Sequence, residues 1–157
     1  MHTVIVFDSE FGNTREVGEA IARELRAQGE VEMVKVDTAR VGALASRADL
    51  VLVGGPTQVH GLSTRMRTFL DSLPVDSLAG KAAAAFDTRM PGWRFVTGAA
   101  STSIAKRLER HGAHLVVQPE SFLVTAKEGP LANEEVARAR IWAQRIVAAL
   151  SEQQAVV

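Results

Sequence analysis

Apolar segments typical of buried β-strands recur along this chain, and each is followed by a pattern typical of an amphipathic helix. The predicted strands cover residues 3–7, 31–36, 50–54, 82–86 and 113–117, and residues 122–124 are a candidate continuation of the fifth. The first, third and fourth segments are almost continuously apolar, which suits strands that are buried on both faces. This alternation predicts an α/β fold with three layers, in which helices cover both faces of a doubly wound, five-stranded parallel sheet.

The helical patterns have recognisable ends. Gly29 is expected to end the first helix, Ser63 to cap the start of another, and Gly112 to end a third. The last helical pattern runs from Asn133 to about Leu150. Neither an internal repeat nor a low-complexity linker divides the sequence, so we expect residues 1–157 to form a single domain.

The loop after the first strand is suited to binding phosphate. It consists of Ser9, Glu10, Phe11, Gly12, Asn13 and Thr14. Free backbone N–H groups and the helix dipole favour an anion at the start of the following helix, and the hydroxyl and amide side chains add donors. The segment contains no lysine, so it is not a Walker loop. We therefore expect it to hold a monophosphate with neutral donors.

Two further strand-to-helix loops are expected at the same edge, because ligands bind beyond the carboxyl ends of parallel strands. The second loop contains Pro56, Thr57, Gln58, Val59, His60 and Gly61, and the third contains Asp87, Thr88, Arg89 and Trp93. Both are longer than the roughly 2–6 residues usual for such connections. Each combines glycine and proline with a large planar side chain, which suits the binding of a flat heterocycle.

Composition excludes several other classes of function. The 157 residues carry 18 basic and 18 acidic side chains, so the zero net charge favours neither nucleic acid nor an anionic membrane. The chain has no cysteine, which excludes disulfides and thiol chemistry, so any redox chemistry must belong to a bound cofactor. We expect no metal site. Without a signal-peptide pattern or a membrane-spanning apolar stretch, a cytoplasmic location is expected.

These three loops make the chain resemble the flavodoxin-like family of FMN-binding redox proteins. The best match is Ser9-x-x-Gly12-x-Thr14, followed by Gly55-Pro56-Thr57 and Asp87-Thr88-Arg89. The resemblance implies strand order 2-1-3-4-5, with FMN bound at the carboxyl edge by the residues of the three loops. The chain is similar to the short-chain type and to an atypical branch that carries an arginine in the third loop.

The chain departs from this family at the ring end of the site. Many flavodoxins have a hydroxyl residue in place of Phe11, and many stack the flavin on a tyrosine, which this chain lacks. Trp93 would have to replace that tyrosine, with His60 or Val59 on the opposite face. Classical flavodoxins are acidic around the cofactor, whereas here Arg65, Arg89 and Arg94 outnumber Asp87. Arg89 is expected either to contact the flavin or a substrate, or to pair with Asp87.

The leading hypothesis is an FMN-binding carrier that transfers electrons between redox partner proteins, as a monomer or weak homodimer, with no catalytic residue of its own. An alternative is an FMN-dependent reductase that moves hydride from NAD(P)H to a quinone or nitro compound. A third is a flavin-free module of the same fold that acts in binding or regulation.

Overall fold

The computed structural model describes residues 1–38, 41–58, 61–92 and 99–156. Within these ranges the chain forms six β-strands and five α-helices, and a 3-10 helix (Arg26–Gln28) follows the first α-helix. In chain order the strands and α-helices are β1 (His2–Phe7), α1 (Asn13–Leu25), β2 (Glu30–Lys35), α2 (Val41–Arg47), β3 (Leu50–Pro56), α3 (Thr64–Ser72), β4 (Ala82–Arg89), α4 (Ala100–Arg110), β5 (His114–Leu115), β6 (Glu120–Leu123) and α5 (Glu135–Ala155).

The strands form one parallel sheet of order β2-β1-β3-β4-β5, with β6 also paired to β4. The predicted doubly wound fold and strand order are confirmed. The fifth strand is divided: β5 pairs with Ala82 and Ala83 at the start of β4, whereas β6 pairs with the segment Phe86–Arg89 at its end. The candidate continuation at residues 122–124 therefore overlaps a second short strand on the same edge of β4.

Hydrophobic packing on both faces follows the alternation of side chains along the strands. Val4 and Val6 of β1 face the core beneath α2, α3 and α4, whereas Ile5 faces the core beneath α1 and α5. In the second core, three aromatic rings pack edge to face with centroids 6.0–6.3 Å apart. These rings belong to Phe86, Phe122 and Trp142.

The predicted helix ends were correct at some positions and wrong at others. Ser63 caps α3 as expected, because its Oγ accepts a hydrogen bond from the Met66 backbone N–H at 3.1 Å. The last helix begins at Glu135 rather than Asn133, since Glu134 has a left-handed backbone conformation (φ 71°), and it continues to Ala155. Within the described residues, no helix has the length and apolarity needed to span a membrane.

Candidate functional site

A cavity of about 460 Å³ lies at the carboxyl edge of the sheet, where β1, β3 and β4 end. The three predicted loops all contribute to it. The lining residues are Ser9, Glu10, Phe11, Asn13 and Thr14 from the first loop, Pro56, Thr57 and Gln58 from the second, Thr88, Arg89 and Met90 from the third, and Val124 and Lys127. The volume lies within the range usual for small-molecule and cofactor sites, roughly 300–1,000 Å³.

The first loop is held in shape by its own serine. Ser9 Oγ accepts hydrogen bonds from the backbone N–H groups of Gly12, at 3.1 Å, and Arg15, at 3.4 Å. Gly12 immediately precedes α1 with φ 90°, a conformation that favours glycine. Because its oxygen accepts both bonds, the Ser9 hydroxyl can direct its own proton toward the cavity.

The loop between β6 and α5 packs against this first loop. Asn13 Nδ2 donates a hydrogen bond to the Glu128 carbonyl oxygen at 3.2 Å. Gly129 has φ 102°, which favours glycine, and a Cβ added there would lie 2.5 Å from Asn13 Oδ1, so the Asn13 side chain would have to shift. This contact places Lys127 at the cavity. Lys127 lies outside the first loop, so the binding of a monophosphate by the neutral donors of that loop stays a prediction.

Thr14 and Thr88 join α1 to the end of β4. Their Oγ1 atoms lie 2.8 Å apart, and both residues are buried. Thr14 was predicted as a hydroxyl donor to phosphate. In the structure its hydroxyl is engaged with Thr88 at the floor of the cavity.

The start of α4 is capped by Thr57 and Asp87, which belong to other parts of the chain. Thr57 Oγ1 accepts a hydrogen bond from the Ala100 N–H at 3.0 Å, and Asp87 Oδ2 accepts one from the Ser101 N–H at 2.8 Å. These N–H groups are among those that a helix start leaves without partners within the helix. Asp87 is fully buried and is not a lining residue of the cavity, whereas Thr57 is. Asp87 therefore stabilises the helix that follows the third loop.

Arg89 is only 9% exposed and lines the cavity. Within the described ranges it forms no ion pair with Asp87, which was one of the two predicted roles. Its Nε and Nη1 atoms are buried without a hydrogen-bond partner among the described residues. Arg65, by contrast, pairs with buried Asp8 at 2.9 Å, so its charge is compensated.

Some predicted site residues do not line the cavity or lie outside the described residues. Val59, His60, Trp93 and Arg94 lie outside the described residues. Gly61 (φ 93°) and Gln58 exchange two backbone hydrogen bonds, in which each N–H donates to the other residue's carbonyl oxygen at 2.9 Å.

A parallel doubly wound sheet with a phosphate-type loop and a cavity at its carboxyl edge defines a class of α/β ligand-binding protein. The family model described as a flavodoxin domain matches residues 4–94, which include all three loops, and the chain belongs to this family. Flavodoxin domains typically bind FMN and transfer electrons. No curated protein matches the sequence.

Solved flavodoxins share the fold over nearly the whole chain. Oxidised flavodoxin 1 from Bacillus cereus is 22% identical with a TM-score of 0.77, covering 94% of this chain and 98% of the other. A WrbA-like flavodoxin from Agrobacterium tumefaciens is 20% identical with a TM-score of 0.73, covering 98% of each chain.

A longer protein contains a similar domain. Rubredoxin oxygen:oxidoreductase from Desulfovibrio gigas is 21% identical with a TM-score of 0.77, and the match covers 98% of this chain but 37% of that one. At these identities the similarity establishes the fold alone.

Proposed function

We propose that this protein binds FMN in the cavity at the carboxyl edge and transfers electrons between partner proteins. The observation that carries the proposal is the meeting of the phosphate-type loop with the second and third loops in one cavity. The flavin supplies the redox chemistry when bound. The residues of the chain bind it, orient it and exclude water.

The phosphate end of the cofactor fits the first loop. The backbone N–H groups of Asn13 and Thr14 have no hydrogen-bond partner among the described residues and lie at the positive end of the α1 dipole. The Ser9 hydroxyl adds a neutral donor, and Lys127 of the loop between β6 and α5 adds a positive charge at the cavity. This donor set suits a monophosphate.

The ring end of the cofactor is assigned to the second and third loops. Pro56, Thr57 and Gln58 approach it from β3, and Thr88, Arg89 and Met90 approach it from β4. We also predict contacts with the ring from Val59, His60, Gly61 and Trp93. Trp93 is expected to stack on it.

Two apolar side chains beside the cavity support docking of a partner protein. Phe11 is 44% exposed and Met90 is 49% exposed, and both line the cavity. Exposed apolar groups at the rim of a redox site are suited to a short-lived protein contact that brings the two cofactors close together. We further propose a single cytoplasmic domain that acts as a monomer or weak homodimer.

The test is a fluorescence titration of FMN with the purified protein. Ser9→Ala should weaken FMN binding about tenfold, because it removes a donor to a charged group and loosens the loop. Ser46→Ala is the matched control, since Ser46 is exposed on α2 and its hydroxyl donates to the Ala43 carbonyl oxygen of the same helix. Failure of the wild-type chain to bind FMN would refute the proposal and favour a flavin-free module. Equal affinities in the two variants would refute the assignment of Ser9.

A second candidate function is an FMN-dependent reductase that oxidises NAD(P)H and reduces a quinone or nitro compound. The cationic residues Arg89 and Lys127 at the cavity favour it, because positive charge stabilises a reduced flavin and favours hydride acceptance. Oxidation of NAD(P)H by the FMN-loaded protein with a quinone separates the two functions. Turnover supports the reductase, and reduction that requires a partner protein supports the carrier.

A further inference from the structure

The guanidinium of Arg89 is a buried cation, and two of its three nitrogens have no hydrogen-bond partner among the described residues. The residue is 9% exposed, and its Nε and Nη1 atoms are fully buried with no hydrogen-bond acceptor among the described residues. Burying a charge without a partner is strongly unfavourable. A group of this kind points to an anionic or strongly accepting ligand in the cavity that it lines.

Within the described ranges, neither acidic residue near Arg89 forms an ion pair with it. Asp87 lies two positions earlier in β4; its Oδ2 accepts from the Ser101 N–H, and its Oδ1 is buried without a hydrogen-bond partner among the described residues. Glu10, the one acidic residue among the cavity's described lining, is exposed in the first loop. The complement to Arg89 is therefore expected from the ligand.

The sheet topology places Arg89 at the ring end of the cavity. β3 lies between β1 and β4, so the strand that carries Arg89 is about 10 Å, two strand spacings, from the strand that precedes the phosphate-type loop. Neighbouring residues of a strand point to opposite faces, and Thr88 points toward Thr14 at the start of α1. Arg89 accordingly points to the face of the sheet opposite to that of α1, whose first turn belongs to the phosphate-type loop.

We propose that Arg89 binds the negative charge that the FMN ring acquires on two-electron reduction and thereby favours the anionic reduced ring. This inference rests on the proposed function. In the reaction that it favours, the bound ring takes up two electrons and one proton rather than two protons. The electrons come from the partner protein, or from dithionite in a titration, and the charge left on the ring is compensated by the guanidinium.

The test compares the affinities of oxidised and reduced FMN, through the two-electron midpoint potential of the bound cofactor. Arg89→Gln should lower the ratio of reduced to oxidised affinity at least tenfold, which corresponds to a potential about 30 mV more negative. Arg89→Lys keeps the charge and should retain most of the wild-type ratio. Arg110→Gln, an exposed arginine at the far end of α4, is the control and should leave the ratio unchanged.

The pH dependence of the wild-type potential provides a second readout that needs no variant. If Arg89 stabilises the anionic ring, bound FMN should take up only one proton per two electrons at pH values where free FMN already takes up two. The absorption spectrum of the reduced protein reports the same protonation. If bound FMN takes up two protons at a pH where free FMN takes up one, the inference is overturned. This outcome does not depend on whether Arg89→Gln folds.

The outcomes distinguish this inference from the proposed function. If the wild-type chain does not bind FMN, both are overturned. If it binds FMN and the Arg89→Gln potential equals that of the wild type, only the role of Arg89 is overturned. If Arg89→Lys shifts the potential as much as Arg89→Gln does, the role of the Arg89 charge is also overturned, because geometry rather than charge would then set the potential.

Discussion

The hydroxyl oxygens of Thr14 and Thr88 lie 2.8 Å apart in the buried floor of the cavity. Thr14 belongs to the first turn of α1, and Thr88 to the end of β4. The two residues are 74 positions apart in the chain, so this bond connects the loop assigned to phosphate with the strand assigned to the ring. It fixes the distance between the two ends of the cavity.

Thr88→Val should destabilise the protein by about 1–3 kcal/mol, because the isosteric side chain leaves the buried Thr14 hydroxyl without its partner. Thr14→Val should have a similar effect. Urea unfolding of both single variants and the double variant measures the coupling between them. The double variant should cost less than the sum of the two single changes, and strict additivity would contradict a direct bond between the two hydroxyls.

The fold and the first loop could be predicted because their signals are local. Residues 50–54 are apolar at every position apart from Gly54, and Gly12 with its flanking donors lies in one six-residue stretch. Lys127 could not be predicted in the same way. It reaches the cavity through the contact between Asn13 and Glu128, which are 115 positions apart, and the sequence around it resembles an ordinary surface turn.

The roles of Asp87 and Arg138 depended on tertiary contacts that sequence patterns do not show. Asp87 follows a strand as a ligand-binding residue would, but its carboxylate caps α4. Arg138 lies in a helical pattern, but its guanidinium lies 4.8 Å from the centre of the Phe122 ring and pairs with Glu120 at 3.3 Å, both of them residues of β6. In both cases the partner lies on another element that is distant in the sequence.

Gly54→Ala should destabilise the protein by at least about 1–3 kcal/mol, the usual range for overpacking a core. A Cβ at Gly54 would lie 2.2 Å from Phe86 Cζ, inside the aromatic cluster of Phe86, Phe122 and Trp142. Gly42→Ala in α2 is the matched control, because its Cβ would make an ordinary contact with Leu73 at 3.9 Å.

The control should stabilise the protein by about 0.5–1 kcal/mol, since alanine favours the helix over glycine. Thermal unfolding of both variants measures the difference. Equal unfolding midpoints for Gly54→Ala and the wild type would show that the Phe86 ring moves aside at little cost.

Glu135 should make stability depend on acidic pH. Hydrogen bonds from Arg138 hold the pKa of Glu135 below the usual value of 4.5 against the opposing effect of burial, and the Leu123 backbone N–H, which donates to its carboxylate at 2.7 Å, lowers it further. A pKa that is lower in the folded state gives stability that is fully present above the unfolded value. That stability is lost as the pH falls through the folded value.

Glu135→Gln should therefore cost about 1–3 kcal/mol at neutral pH, and less as the pH falls below roughly 4.5. Urea unfolding at several pH values measures this change. Glu134→Gln is the control, because Glu134 is exposed and has the same charge. A cost that stays constant from neutral pH to pH values well below 4.5 would show that the Glu135 charge does not contribute.

Lys127→Gln should weaken FMN binding about two- to fivefold, because an exposed lysine contributes modestly to the binding of a phosphate. Riboflavin, which lacks the phosphate, should bind the variant and the wild type equally. Added salt should reduce the difference between the two proteins for FMN, since it screens the exposed charge. Lys106→Gln, on the exposed face of α4, is the matched control and should bind both ligands like the wild type. An equal loss of affinity for FMN and riboflavin would place Lys127 at the ring rather than at the phosphate.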